Sequence, residues 1–365
     1  MDASRTGSTL DPYSASLAHP SVEGLARAPV GGAGVSTDVL SDVLRAVRLT
    51  GSAYFSVEAR APFAAEALPA REVAPTVMPG VEHVLEYHLV TEGPCWGGVV
   101  GEEPLRLEVG DFIVFPQGDA HVLSSSPGMR GAASIDTYRR PPGAQLPFSL
   151  RDAGGGGART QLVCGFLGCD ARPFNPLLAT LPRTIRVSTR EGGGWLESLA
   201  RLAVTESAGG RTGGEAVLAR ASELMFVEVL RRYLASLPQE QTGWLAGLRD
   251  PFVGKALALL HDRPAEQWTV ESLAKESALS RSALAERFTH LVGEAPMQYL
   301  TRWRMQLAAT LLRTRNVSVF EAAMEVGYAS EAAFSRAFKK VVGLPPAAWR
   351  EGQARREQAA EGSVR

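Results

Sequence analysis

Ser280-Arg-Ser-Ala-Leu284-Ala-Glu-Arg-Phe288-Thr-His-Leu291-Val292-Gly293-Glu-Ala-Pro296-Met-Gln-Tyr299 is one of two stretches written to the same plan. The other is Ser330-Glu-Ala-Ala-Phe334-Ser-Arg-Ala-Phe338-Lys-Lys-Val341-Val342-Gly343-Leu-Pro-Pro346-Ala-Ala-Trp349. Serine, the apolar positions, glycine, proline and the aromatic fall at the same offsets, which marks one supersecondary unit used twice. Each stretch reads as a capped helix. Ser280 and Ser330 are N-cap residues, and the apolar residues recur at i, i+4, i+7 and i+8, one face of a helix. Gly293 and Gly343 accept the left-handed stop, and the proline three residues on prevents resumption.

A shorter helix precedes each copy. Thr269-Val-Glu-Ser-Leu273-Ala274 opens on an N-cap residue with Glu271 at the positive end of the dipole. Ser318-Val-Phe-Glu321 is a capping box leading into Ala322, Ala323 and Val326. Small residues at Ala274 and Ala323 allow close crossing. The spacing predicts a helix-turn-helix over 269–290 and another over 318–340. The segment Pro296–Arg315 between them reads as a helix with Tyr299, Leu300, Trp303, Leu307, Ala308, Leu311 and Leu312 on one broad face. About twenty residues span about 30 Å, close to the roughly 34 Å between successive major-groove faces of B-DNA. A bundle of helical hairpins without a nucleic-acid role fits one copy; two copies in register on such a spacer point to DNA.

Gly327-Tyr328-Ala-Ser330-Glu-Ala-Ala-Phe334-Ser-Arg336-Ala-Phe338-Lys339, with Gly343, Pro346, Trp349 and Arg350, resembles the signature of the AraC/XylS family of bacterial transcription regulators. The resemblance covers residues 251–350 and implies a DNA-binding domain there. With Leu284, Phe288, Leu291, Phe334, Phe338 and Val341 turned to the core, the opposite faces present Arg281, Ser282, Ala285 and Glu286, then Glu331, Ala332, Ser335 and Arg336. By resemblance these are base-reading positions: arginine reads guanine, glutamate accepts from cytosine, alanine meets a thymine methyl. Glu286 and Glu331 depart from the basic or amide residues common there, and act either as specificity elements or as acids of the cap region. Lys339 and Lys340 fit phosphate contact, or simply the negative end of the helix dipole. Arg302 and Arg304 on the spacer are weaker candidates for the same role.

Charge follows this division. Residues 251–365 hold 16 Lys+Arg against 12 Asp+Glu, and residues 1–250 hold 22 against 27, within a chain of net charge −1. A nearly neutral protein with a mildly basic end suits a reader of specific sites, not a bulk coat for nucleic acid.

The front of the chain reads differently. At 365 residues two or three domains are expected. Residues 1–35, rich in Ser, Ala, Gly and Pro without periodicity, read as a disordered lead-in. No signal peptide and no bilayer-length apolar run stand out, so a cytoplasmic protein without membrane contact is expected. A short amphipathic helix (Val39 to Val47) precedes short strands. Leu105-Arg-Leu107-Glu-Val109 alternates as a half-buried strand does, and Phe112 to Phe115 is wholly apolar. Gly110-x5-Pro116-x-Gly118-x2-His121 resembles the second motif of the cupin β-barrel, and Tyr87-His88-Leu-Val-Thr-Glu-Gly93 the strand and turn before it. The likeness spans roughly residues 38–170, and AraC-type chains commonly carry such a sensor.

Metal-binding cupins use two histidines at alternate positions, a glutamate and a later histidine. Glu86 and His121 match the last two, while Pro79, Gly80, Val81 and Glu82 stand where the paired histidines belong. His83 and His88 lie on opposite faces of one strand; Glu86 and His88 share a face. A depleted metal site of Glu86, His88 and His121 and a metal-free effector pocket are both open; we take no metal and no cofactor as the expectation. The three cysteines, an odd count, argue against a disulfide framework. Buried thiols are the plain reading. By resemblance Cys164 sits where some relatives carry an oxidant-sensing thiol, although no basic cluster lies nearby to lower its pKa.

Residues 188–237 read as helices. Ala216 to Leu237 is apolar on several sides and so buried on several sides, by the chain's own core or by a second subunit; we expect a homodimer. The division expected is a cupin-like sensor over 36–187, a helical dimerisation region over 188–237, a linker over 238–250, a DNA-binding domain over 251–350 and a flexible tail over 351–365. The fold class is α+β: a cupin-like β-barrel, then an all-α domain with two helix-turn-helix motifs joined by a long helix. The function expected is a sequence-specific DNA-binding transcription regulator, by resemblance an activator that meets RNA polymerase. Its partners would be double-stranded operator DNA and a small-molecule or oxidant effector, and no catalytic residues are expected. The alternative is a metal-dependent cupin enzyme with a helical appendage. Glycine runs at Gly154 to Gly157 and Gly192 to Gly194 lack the lysine and the strand-helix context of phosphate loops.

Overall fold

The computed structural model describes residues 38–363 apart from 152–154, 191–194, 210, 239 and 316. The lead-in at 1–35, Gly154 and Gly192 to Gly194 lie outside the described residues. The strands are β1 (Thr50–Arg60), β2 (Ala64–Ala67), β3 (His83–Glu92), β4 (Cys95–Val99), β5 (Leu105–Leu107), β6 (Asp111–Phe115), β7 (His121–Ser124), β8 (Phe148–Arg151), β9 (Arg159–Cys169) and β10 (Ile185–Ser188). The helices are α1 (Val39–Ala46), α2 (Ala70–Val77), α3 (Trp195–Gly209), α4 (Gly214–Ser236), α5 (Trp244–Arg249), α6 (Val253–Asp262), α7 (Val270–Glu276), α8 (Arg281–Val292), α9 (Pro296–Thr314), α10 (Val319–Glu325), α11 (Glu331–Val342) and α12 (Pro346–Ser363).

One sheet runs β10-β6-β3-β9-β1-β8, the other β2-β7-β4-β5. Strand alternation sorts the side chains of the larger sheet. Val84, Val90, Ile113, Phe115, Leu162, Cys164 and Phe166 face an interior shared with the smaller sheet. Leu85, Tyr87, Leu89, Phe112, Val114, Val163 and Leu167 face the opposite way, into a core that also holds α3 and α4 residues. Phe112 to Phe115 is continuously apolar because both sides of β6 are covered. On β5, an edge of the smaller sheet, only Leu107 is buried and Leu105 is 40% exposed; Val109, 42% exposed, lies in the turn beyond the strand.

Most of the apolar surface of α4 is absorbed within the chain. Leu218, Met225, Phe226, Val229 and Leu230 are buried, and Tyr87 Oη lies 2.5 Å from Ser222 Oγ across the α4–β3 contact. Val217 and Leu224 on α4, and Trp195, Leu202 and Val204 on α3, stay exposed.

Two expected boundaries change. The stretch 238–250 is not a plain linker, for it contains α5, with Trp244 and Leu245 buried in the core. The Gly243 N–H donates to Leu291 O at 2.7 Å, and Asp250 accepts both from Arg287 and from the N–H groups of Phe252 and Val253 that open α6. The tail expected at 351–365 continues α12 as far as Ser363, where Gln353 is buried and Arg356 meets Glu82 at 3.1 Å.

Candidate functional site

Both repeated units form as their caps require. Thr269 and Ser318 each accept from the third residue of the helix they open, within reciprocal capping boxes. Ser280 and Ser330 cap α8 and α11 in the same way, and Gly293 and Gly343 end them with φ of 86° and 87°. Leu284, Phe288, Phe334 and Phe338 are wholly buried, as are Ala274 and Ala323 where the paired helices cross. Leu291 and Val341, also assigned to the core from their spacing, are half-buried.

The opposite faces are open. Arg281, Ser282 and Glu286 on α8, and Glu331, Ala332, Arg336, Lys339 and Lys340 on α11, are exposed; Ala285 and Ser335 are half-exposed. Eight of the candidates thus fall at equivalent places on two helices, with Lys339 and Lys340 further along α11 alone, and both helices pack on the 19-residue α9. That spacer is about 28 Å long at 1.5 Å per residue. Arg281 pairs with Glu271 at 3.4 Å between two well-exposed side chains, a bond that solvent makes weak. Arg336, Lys339 and Lys340 have no ion-pair partner among the described residues.

Arg302 and Arg304 do not join this surface. Arg302 pairs with Glu294 at 3.1 Å and lies over the ring of Phe174, 4.2 Å away. Arg304 donates to the carbonyls of Pro264 and Glu266. Arg304 is half-buried against those carbonyls, while Arg302 stays exposed with its guanidinium on Glu294 and the Phe174 ring.

The second candidate site is inside the barrel. Glu86 and His88 leave the inner face of β3, and His121 opens β7. Their ligand atoms all lie within 4.8 Å of one another. His88 Nε2 is 2.7 Å from His121 Nε2, and Glu86 Oε2 is 3.8 Å from the same nitrogen. His121 stacks on Phe115 with ring centroids 3.8 Å apart. A cavity of about 100 Å³ adjoins the three residues, walled by Phe55, Leu123, Tyr138, Leu162, Cys164 and Phe166 among others. Burial without compensating donors raises the Glu86 carboxyl to about 8, lowers the His121 imidazole to about 4, and holds His88 well below the usual histidine range. At neutral pH both rings are therefore uncharged. His83 faces elsewhere, as its odd spacing from His88 requires, with Nε2 2.7 Å from Pro116 O.

All three cysteines are free and buried. Burial pushes the Cys164 thiol well above its ordinary pKa and Cys95 to about 12. A thiol so held is poor in thiolate, which disfavours the oxidant-sensing role raised for Cys164.

Spacing gave no sign of the tie between barrel and spacer. Asp170, at the end of β9, accepts from Arg313 on α9 at 2.6 Å and from Arg48 Nε and Nη2 at 3.1 Å each. Arg313 and Asp170 side chains are each 4% exposed. Gln306 on α9 donates to Ala46 O at 2.9 Å and accepts from the Phe174 N–H at 3.0 Å. A glutamine on the apolar face of α9 was the one available signal. Nothing marked Asp170, whose partners lie far away in sequence.

Two open helix faces on one spacer, beside a β-barrel with a closed polar cluster, define a DNA-binding transcription regulator with a cupin-like ligand-binding domain. The family profile described as a cupin matches residues 38–235, and that described as a helix-turn-helix domain matches residues 273–352. A putative AraC-like transcription regulator of Streptomyces lividans is 36% identical over 274 residues, covering 73% of this chain and 87% of that protein. A putative AraC-like transcription regulator of Streptomyces antibioticus is 34% identical with the same coverage. The HTH-type transcriptional regulator AlkR of Acinetobacter baylyi is 27% identical over 322 residues, 86% of this chain and 99% of that one. The chain belongs to the AraC-like family of transcription regulators.

Proposed function

We propose that this regulator binds operator DNA through the exposed faces of α8 and α11 and changes its grip when an effector enters the barrel cavity. The observation that carries the reading is the equivalence of those faces on one rigid spacer. Arg281, Ser282, Ala285 and Glu286 would read one major groove, and Glu331, Ala332, Ser335 and Arg336 the next, with Lys339 and Lys340 on phosphate. The effector is a small molecule that meets Glu86, His88 and His121. Its signal travels as a population shift between two arrangements of barrel and spacer, for which the Asp170–Arg313 and Gln306–Ala46 ties are the contacts to be made or broken.

We read the protein as a cytoplasmic activator that contacts RNA polymerase and works as a homodimer. The exposed Trp195, Leu202, Val204, Val217 and Leu224 of α3 and α4 offer an apolar face for the second subunit. No helix among the described residues is long and apolar enough to cross a membrane. The non-enzymatic reading is supported by relatives named as transcription regulators. We further read the cupin-like sensor as residues 36–187 and the helical region 188–237 as its packing partner.

The test is a gel-shift series on operator fragments recovered by genomic footprinting. Arg336→Ala should weaken specific binding by about 1–3 kcal/mol and relax the choice at one base pair. Lys339→Ala should weaken all sequences alike and lower the salt dependence by about one counterion. Wild-type binding by Arg336→Ala would remove α11 as a reading head.

A further inference from the structure

We propose that the barrel cavity takes a small uncharged molecule, apolar over most of its surface and carrying one hydroxyl: a phenol or a cyclic alcohol of a single ring. This rests on the cavity being the effector site and names the chemistry of the effector. His121 Nδ1 lies 3.0 Å from the carbonyl oxygen of Asp119. A carbonyl only accepts, so Nδ1 carries the ring proton and Nε2 presents a lone pair. His88 Nε2, 2.7 Å from that lone pair, is therefore the N–H of its own ring. The other His88 nitrogen, Nδ1, is then an acceptor, and it is buried without a hydrogen-bond partner among the described residues. Glu86 Oε1, two residues back on the same face of β3, is buried and unpartnered as well. Tyr138 Oη accepts from the Leu68 N–H at 3.3 Å, which leaves its own proton to donate. Phe55, Phe63, Leu123, Leu162 and Phe166 line the same cavity with apolar surface.

These groups select the guest. A buried acceptor left without a donor is costly, so the guest must bring a proton to His88 Nδ1. A hydroxyl donates there and can accept from Tyr138; an ether can only accept, and a hydrocarbon does neither. Charge is disfavoured in both signs. No lysine or arginine lines the cavity, so a carboxylate would be buried beside Glu86 without a cation. An ammonium would need an ionised Glu86, and the desolvation of such a buried pair offsets its attraction; burial favours the acid form of Glu86 instead. Size follows from the cavity volume of about 100 Å³. A dry apolar cavity of about 150 Å³ holds benzene, so one ring fits and two do not. A sugar would press several unpaired hydroxyls against the phenylalanines.

The experiment titrates the full chain by calorimetry with phenol, cyclohexanol, toluene, benzoate, benzylamine and glucose. Expected is one site per chain for phenol or cyclohexanol, at least about tenfold tighter than for toluene, and no uptake of benzoate, benzylamine or glucose. His88→Leu should lose the preference for phenol over toluene and still take up toluene, because the apolar wall remains. A wild-type chain that prefers toluene, benzoate, benzylamine or glucose overturns the proposal, as does failure of both hydroxyl compounds to bind at millimolar concentration. An unchanged preference in folded His88→Leu overturns it too. If that variant fails to fold, the wild-type order of affinities still decides. A gel shift with and without phenol separates the two levels. An operator complex formed by a chain that takes up none of the six compounds sinks this inference alone, whereas phenol uptake that leaves the grip on DNA unchanged sinks the reading of the cavity as the effector site.

Discussion

The two helix-turn-helix units are near copies in sequence and differ in what lies beneath them. Leu273, Ala274, Leu284 and Phe288 of the first belong to the same apolar core as Leu85, Tyr87 and Phe112 on the outer face of the barrel sheet. α1, α5 and α6 contribute to that core as well. Ala322, Ala323, Phe334 and Phe338 of the second unit have a core of their own, closed by Met305, Leu312 and Trp349. The shared spacer α9 contributes Tyr299, Leu300 and Trp303 to one core and Met305, Ala308 and Leu312 to the other. Close-packed interiors transmit strain, so a change in barrel packing reaches the first unit through a shared apolar core, and the second only through α9 and the polar contacts of α12 with Glu82. The two similar units can thus be held unequally, one within the sensor's apolar core and one tied to it by polar contacts alone.

The strongest way to break this comparison is to empty each core in turn. Phe288→Ala and Phe338→Ala should each cost about 3–5 kcal/mol locally. Hydrogen exchange should show Phe288→Ala loosening β3, β6 and α4 along with α7 and α8. Phe338→Ala should loosen only the region from Met305 to Trp349. Equal spread from both variants would mean that the cores are coupled and the asymmetry is false.

Acid should act on the first core before the second. His261, on α6, stacks on Trp303, and its Nε2 lies 2.7 Å from Tyr299 Oη, which accepts from Trp244 Nε1. Asp42 of α1 is 3.9 Å from the other ring nitrogen. Burial lowers the His261 pKa from 6.5 to about 3. The unfolded chain therefore takes up the proton first. Stability from this group is whole above about pH 6.5 and drains away as the pH falls toward about 3, by on the order of 2 kcal/mol at pH 5. Melting curves at pH 7.5 and pH 5 should differ less for His261→Gln than for wild type. An identical difference would remove His261 from the account.

The smallest effect sharpens the contrast at the turns. Ala278 has φ of 59° just after α7, where the second unit has Gly327 at 87° after α10. Left-handed backbone strains alanine but not glycine. A Cβ on Gly327 would also come within 2.4 Å of the Ala265 carbonyl oxygen. Gly327→Ala should destabilise by more than about 1 kcal/mol, while Ala278→Gly should gain no more than about 1 kcal/mol, since glycine also frees the unfolded chain. Chemical denaturation of the two variants measures both signs.

Much of the molecule was legible before any coordinates. Caps, stops and the period of apolar residues placed α7 to α11 within a residue or two, because these features act within one or two turns of chain. The cupin motif placed β6 and the start of β7 for a similar reason: glycine and proline at Gly110, Pro116 and Gly118 punctuate locally. The shared face of Glu86 and His88 followed from strand periodicity. Their approach to His121, on a strand of the other sheet, comes from the two sheets facing each other, and spacing alone left it open. The stretch 238–250 was misread as a linker, since α5 is too short to show a period and is held by contacts with α6 and α8.

Sequence by itself determined the twin reading heads, their exposed faces and the barrel before them, since local rules of capping, periodicity and turn chemistry suffice for each. Only the tertiary structure decided that Arg302 and Arg304 are engaged by Glu294, Phe174 and the carbonyls of Pro264 and Glu266, that Asp170 grips Arg313, and that one head shares the sensor's core while the other does not. Those outcomes depend on which surfaces meet when distant segments pack, and a buried charge or apolar face finds its partner in space, not along the chain.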